Sequence, residues 1–382
     1  MKTLTRLLSA AAAAVMVAAP ATAESLRFGY GHPPGSYFDK GAQSLAGALK
    51  ELTAGELEVE TFPLSLVSLA ETSDGLESGI ANVGALMTTM FPAEYPHANL
   101  TMEVSMILQL EDGMEDEKQG VLYAAAMTDF ILNKCPECND EFAAKNNVFT
   151  SGAASTPYAL NCRKPVNDLA DMAGARLRIS GGYWSRWSQA VGATPVTMSG
   201  NEMLEALSQG VIDCIVLSVP DVFNFGMGDL VTDITIGVPG GIYVASFSQV
   251  NKDTWAGLSV KNREAFLRAA AVGAADISMM YENGMREKIR QSEAGEIPIK
   301  FHRPTEALAK ASREFVEKDI ATLVAYFAEK HSVTRGDEMV SDLRELVTKW
   351  RGLVRDVTTP EELADLYWTE IFAKVDLEKH GL

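Results

Sequence analysis

Arg178 stands near the end of the short apolar segment Arg176-Leu177-Arg178-Ile179, just before Ser180-Gly181-Gly182. A guanidinium there is suited to gripping a carboxylate through two parallel hydrogen bonds. On residue type alone, an arginine at a strand end is more often solvated or ion-paired, so both readings stand at this point. Arg176 shares the strand face through two-residue periodicity, and an ordinary surface role is the better account of it. Aromatics crowd the same part of the chain: Tyr183, Trp184, Trp187, Phe223 and Phe225. Trp184 and Trp187 are three apart on a helical segment, so at least one belongs to the core. Catalysis has little support, because the chain carries no G-x-S-x-G, H-E-x-x-H, phosphate-loop or strand-linked G-x-G-x-x-G pattern. That absence excludes only well-marked enzymes. No residue set commits to a cofactor or metal; the five histidines lack H-x₃₋₅-H spacing.

The elements that must position Arg178 are legible in the block from Gly174 to Asp213. After the strand, an amphipathic helix closes at Val191-Gly192-Ala193. Thr194-Pro195-Val196 begins a second strand, a helix runs from about Asn201 to Gly210, and Ile212 to Leu217 forms a third strand. In open α/β sheets ligands lie beyond the carboxyl ends of strands, where helix N-termini add positive potential. Arg178 occupies such a place.

Gly174, Arg176, Leu177 and Arg178, then Gly192-Ala193 with Pro195-Val196, then Glu202 with Ala206-Leu207, then Gly210 to Asp213 form an ordered series. This series resembles the solute-binding proteins of tripartite ATP-independent periplasmic (TRAP) transporters. A weaker resemblance runs from about Ser25 to Ile299. It implies an α/β, two-lobed periplasmic binding protein fold with mixed sheets flanked by helices and a long helix spanning both lobes. It also implies a receptor that hands an organic acid to membrane permease subunits. Arg178 matches the arginine that binds the substrate carboxylate in that family. Tyr158 matches a cleft position on the second lobe's entry strand, with a half-buried structural tyrosine as the alternative. Ser180, Trp184, Ser218 and Phe223 would line the remainder. From the first lobe the resemblance offers the loops holding His32 and Tyr37, and Met87-Thr88-Thr89. Dicarboxylate-type members often carry an asparagine where this chain has Leu217. A leucine there would leave a second carboxylate unpaired, so the expected ligand is a monocarboxylate with an apolar or aromatic body. A same-fold sensor feeding a kinase, or an unmarked periplasmic enzyme, are the rival readings.

Lys2 and Arg6 precede the apolar stretch Leu7 to Ala19 and the A-x-A site Ala21-Thr22-Ala23, so residues 1–23 read as a cleaved signal peptide and the protein as periplasmic. Removing Lys2 and Arg6 takes the net charge from −18 to −20. That balance disfavours nucleic acid and anionic lipid, and no later run is apolar enough for stable membrane insertion. An anionic ligand therefore needs a local positive group. About 360 mature residues should form two domains. The expected division is lobe I at 24–149 with 242–275, lobe II at 150–241 with parts of 276–310, and a C-terminal helical extension at 311–382. In an exported chain four cysteines favour disulfides, here Cys135–Cys138 in a loop and Cys162–Cys214 between two strands of one domain.

Overall fold

The computed structural model describes residues 24–114 and 117–382; the expected signal peptide, residues 1–23, lies outside them. Among the described residues the strands are β1 (Glu24–Tyr30), β2 (Leu57–Pro63), β3 (Val83–Leu86), β4 (Asn147–Val148), β5 (Gly152–Ala154), β6 (Ala159–Cys162), β7 (Arg176–Ile179), β8 (Thr194–Thr197), β9 (Cys214–Leu217), β10 (Asp233–Pro239), β11 (Val244–Asn251) and β12 (Lys300–His302). They form two sheets. One runs β2-β1-β3-β11-β4, with β5 also paired to β11, and the other runs β12-β10-β6-β9-β7-β8. Each sheet is the heart of one lobe.

In the first lobe β1 lies parallel to β2 and β3, as strand–helix–strand units dictate. The helix Tyr37–Leu52 provides the first crossover. Its N-cap, Ser36, accepts a hydrogen bond from the Asp39 N–H, and Phe38, Ala42, Leu45 and Leu49 form its buried stripe. The sheet is nevertheless mixed, as the resemblance implied. Strand β11 pairs antiparallel with β3, β4 and β5, because the chain re-enters from the second lobe running the opposite way. In the second lobe β7 is parallel to both β8 and β9, while β6 is antiparallel to β9 and β10. Strands β10 and β12 are additions to the elements legible in sequence.

The 34-residue helix Val260–Glu293 starts at an N-cap, Ser259, and rises about 51 Å. It packs on helix Tyr37–Leu52 of the first lobe and on helix Val219–Asn224 of the second. Its approach to the first lobe depends on two glycines. A Cβ on Gly273 would lie 2.8 Å from the Gly41 carbonyl oxygen, and one on Gly41 would lie 2.2 Å from Ile277. Larger residues would push the helices apart.

Three further helices, Glu306–His331, Gly336–Leu353 and Pro360–Glu370, pack on the lobes. Trp350 and Lys349 both donate to Asp129 of helix Gln119–Asn133. Helix Glu306–His331 meets both lobes, since Arg186 and Trp187 donate to its Asp319 and Ser312, and its Arg313 donates to the Gln109 and Leu110 carbonyls.

Both disulfides form as paired in the sequence, Cys135–Cys138 and Cys162–Cys214. Cys162 and Cys214 are register partners on β6 and β9. The Cys135–Cys138 unit is not in a loop. Cys135 caps helix Pro136–Ala144, with proline at its first turn, where a missing N–H costs nothing.

Candidate functional site

Strand β7 places Arg178 between β8 and β9, opposite Val196 and Ile215. The side chain is 3% exposed. Its Nε and Nη2 donate to the Met198 carbonyl oxygen at 3.1 and 3.0 Å. Nη1 is buried with no hydrogen-bond partner. Burial pulls the guanidinium pKa down from its ordinary value, and the nearby Asp221 and Glu202 carboxylates offset only part of that penalty. Arg178 lines a cavity of about 420 Å³, a size that suits a small organic molecule.

The other walls come from both lobes and from the long helix. His32, Phe38 and Thr89 come from the first lobe, Leu217, Asp221 and Phe225 from the second, and Ile277 and Tyr281 from helix Val260–Glu293. His32 stacks on Phe38 with ring centroids 4.1 Å apart. Burial holds its imidazole pKa down to about 3, and its Nδ1 has no partner. Tyr158 stacks on Trp184 at 4.1 Å, and burial raises its phenol pKa well above the usual value. Burial also pushes Tyr243 up to about 12, and its hydroxyl pairs with the Thr89 hydroxyl. The cavity thus combines aromatic faces, one buried cation and several polar atoms with unused capacity. Among the described residues, no group of three or more His, Cys, Asp or Glu could hold a metal ion.

Residues 28–325 match the family model described as bacterial extracellular solute-binding protein, family 7. The chain belongs to that family. Solved structures of TRAP solute-binding proteins share the fold of this solute-binding protein. A Bordetella pertussis extracytoplasmic solute receptor binding pyroglutamic acid is 22% identical, with 84% of this chain and 100% of that chain covered at a TM-score of 0.65. A Bordetella bronchiseptica protein with bound (R)- and (S)-mandelate is 18% identical, covering 85% and 99%, at 0.69. A marine metagenome protein specific for aromatic acid ligands, in complex with 3-hydroxybenzoate, is 16% identical, covering 86% and 99%, at 0.70. The resemblance read from the Gly174–Asp213 block therefore holds for the family and for the two-lobed fold.

Of the positions singled out in the sequence, Arg178, Tyr158, Ser180, Leu217 and His32 come together on the cavity wall of this solute-binding protein. Ser180 Oγ is buried without a partner there. Five others stop one layer short. Trp184 backs Tyr158, and its Nε1 donates to the Gly240 carbonyl oxygen. Ser218 donates to Asp221 at 2.7 Å. Tyr37 packs edge-on against Tyr281. Phe223 lies beneath the Lys288 ammonium, 4.1 Å from the ring centre, and Thr88 gives way to Thr89. Arg176 is ion-paired with Asp213 at 2.7 Å, the surface role its position suggested. Trp184 and Trp187 are both fully buried.

Asp221, Tyr243 and Tyr281 are wall residues that sequence reasoning missed. Asp221 carried a usable signal, since Ser218-Val219-Pro220-Asp221 opens a helix directly beyond the carboxyl end of β9. The two tyrosines had none, because each reaches the cavity from a distant segment.

Proposed function

We propose that this chain is the periplasmic receptor of a TRAP transporter, and that it captures a small organic monocarboxylate with an apolar or aromatic body between its lobes. The observation that carries this reading is the Nη1 of Arg178, a buried donor without a partner in the wall of a mostly apolar cavity. A carboxylate oxygen would satisfy that donor and compensate the buried charge. The low dielectric of the enclosed site would strengthen the bond. Tyr158 would offer a ring face backed by Trp184, Ser180 and His32 would offer hydrogen bonds, and Leu217 would exclude water. The relatives that bind pyroglutamate, mandelate and 3-hydroxybenzoate support the same ligand class. Release of residues 1–23 after Ala23 would deliver the protein to the periplasm. There, lobe I (24–149 with 242–275) and lobe II (150–241 with parts of 276–310) would close on the ligand, and the permease would collect it unchanged.

A thermal-shift screen of small monocarboxylic acids tests the reading, because a ligand that binds only the folded state raises the melting point by mass action. At least one aromatic or cyclic acid should raise it, Arg178→Ala should abolish the rise, and chromatography should recover the acid chemically intact. A rise that persists in Arg178→Ala overturns the assignment, and turnover of the acid overturns the receptor reading.

A further inference from the structure

Asp221 faces the same cavity as Arg178 and is 6% exposed. Its Oδ1 accepts from the Tyr281 hydroxyl at 2.6 Å and from the Asn224 amide at 3.0 Å. Its Oδ2 accepts only from the Ser218 hydroxyl, at 2.7 Å. A carboxylate offers about four lone-pair sites, so one remains open on Oδ2. Three converging donors favour the charged form, while burial works against it and raises the carboxyl's pKa. Asp221 is also held from three directions, by its own helix, by the end of β9 and by the long helix. Such a side chain is preorganised and does not need to move to meet a ligand.

We propose that Asp221 is a specificity-determining residue, an acceptor pole that selects acids carrying an N–H or O–H donor in addition to their carboxylate and discriminates against dicarboxylates. The proposal rests on the reading that Arg178 takes the carboxylate, and it adds what second polar group the ligand must carry. A ring hydroxyl, a lactam N–H or an ammonium would complete the fourth acceptor site. A second carboxylate would meet a like charge in a low-dielectric enclosure, so one of the two carboxyl groups would have to take up a proton before it could bind, which weakens binding at neutral pH. An analogue without any donor would leave the open lone pair of Oδ2 buried and unpaired. Leu217, beside this pole, offers no group that could offset the repulsion.

Titration calorimetry on the full chain with matched acids tests this directly. The set is 3-hydroxybenzoate, benzoate and isophthalate, together with pyroglutamate and cyclopentanecarboxylate. In at least one pair the donor-bearing acid should bind about 10-fold or more tightly than its donor-less partner. Isophthalate should bind more weakly than 3-hydroxybenzoate by at least that factor. Asp221→Asn should narrow the gap between 3-hydroxybenzoate and isophthalate by about 10-fold. Equal binding within both pairs, or isophthalate matching 3-hydroxybenzoate, overturns the role of Asp221 while leaving the Arg178 reading intact. Failure of every acid to bind removes the carboxylate reading and this inference with it. If Asp221→Asn does not fold, the wild-type ratios alone decide.

Discussion

Arg178 and Arg263 are both buried, at 3% and 6% exposure, and both are held by backbone carbonyls. They differ in what is left over. Arg263, on the long helix, donates Nε to the Trp255 carbonyl, Nη2 to that of Ala256 and Nη1 to that of Leu377, at 3.0–3.1 Å. Every nitrogen of its fork is engaged, and it fastens the end of the chain to the first lobe. Arg178 has one carbonyl and an idle Nη1. Burying a charge is therefore no signature of a site. What sets Arg178 apart is a buried donor with nothing to bond that also stands in a cavity wall, and of the two arginines only Arg178 has it.

The largest expected effect separates them by ligand. Arg178→Leu should weaken acid binding at least about 100-fold, since it removes a charge-assisted, buried contact. The unliganded melting point should not fall. Calorimetric titration and thermal denaturation of the same variant measure both, and a variant that melts early would make the two arginines alike. Arg263→Leu should do the reverse. Three carbonyls lose their donor, so stability should drop by about 3 kcal/mol in chemical denaturation, with acid affinity of the folded protein unchanged. Loss of binding in that variant would collapse the contrast.

A third cation sharpens the comparison. Arg186 joins Asp319 at 2.7 Å and Glu103 at 3.3 Å, linking a second-lobe helix to the first lobe and to helix Glu306–His331. Glu103 is buried, and burial raises its pKa. Arg186→Leu would strand two mostly buried carboxylates. With Arg186 itself partly solvated, the cost should be about 2 kcal/mol in denaturant titration, with the loss shrinking at acidic pH as Glu103 takes up a proton. No change in stability would mean that the link is ornamental.

The last effect comes from His32 and is confined to acidic pH, vanishing at neutrality. Its folded-state pKa lies near 3, below the ordinary 6.5, so the unfolded chain takes up a proton that the folded one refuses. Its contribution is intact above about pH 6.5 and should decline by about 1.4 kcal/mol per unit as pH falls toward 3. Comparing acid denaturation of wild type and His32→Gln isolates that limb. Parallel curves would mean that the imidazole is not kept neutral by burial.

The contrast between the arginines also explains what the sequence could and could not reveal. Helices Tyr37–Leu52 and Val260–Glu293 carry their limits in the sequence, because each has a serine cap and an apolar stripe. Helix Pro96–Glu103 and the turn Val104–Leu110 were not, since they are buried nearly all round and show no two-sided pattern. The motif block pointed to Arg178, but the carbonyl that engages its Nε and Nη2 belongs to Met198, twenty residues away. Several other expectations landed beside their targets. Thr88 stands next to Thr89 and Tyr37 next to Phe38, and Phe223 lies two from Phe225. Periodicity locates a segment well, but in a short 3-10 turn or at a helix start one residue rotates a side chain by 100° or so, about a third of a turn. Asp221, Tyr243 and Tyr281 converge from three separate segments, and no local pattern encodes that meeting.

Arg178 belongs to a strand locked between two neighbours, whereas His32, Thr89, Asp221 and Phe225 sit on loops, turns and a six-residue helix. Natural drift or laboratory selection can therefore rewrite these wall residues without disturbing the sheet that fixes Arg178. A solute-binding protein built this way is well placed to change its ligand, and a biosensor designer would vary those wall positions first.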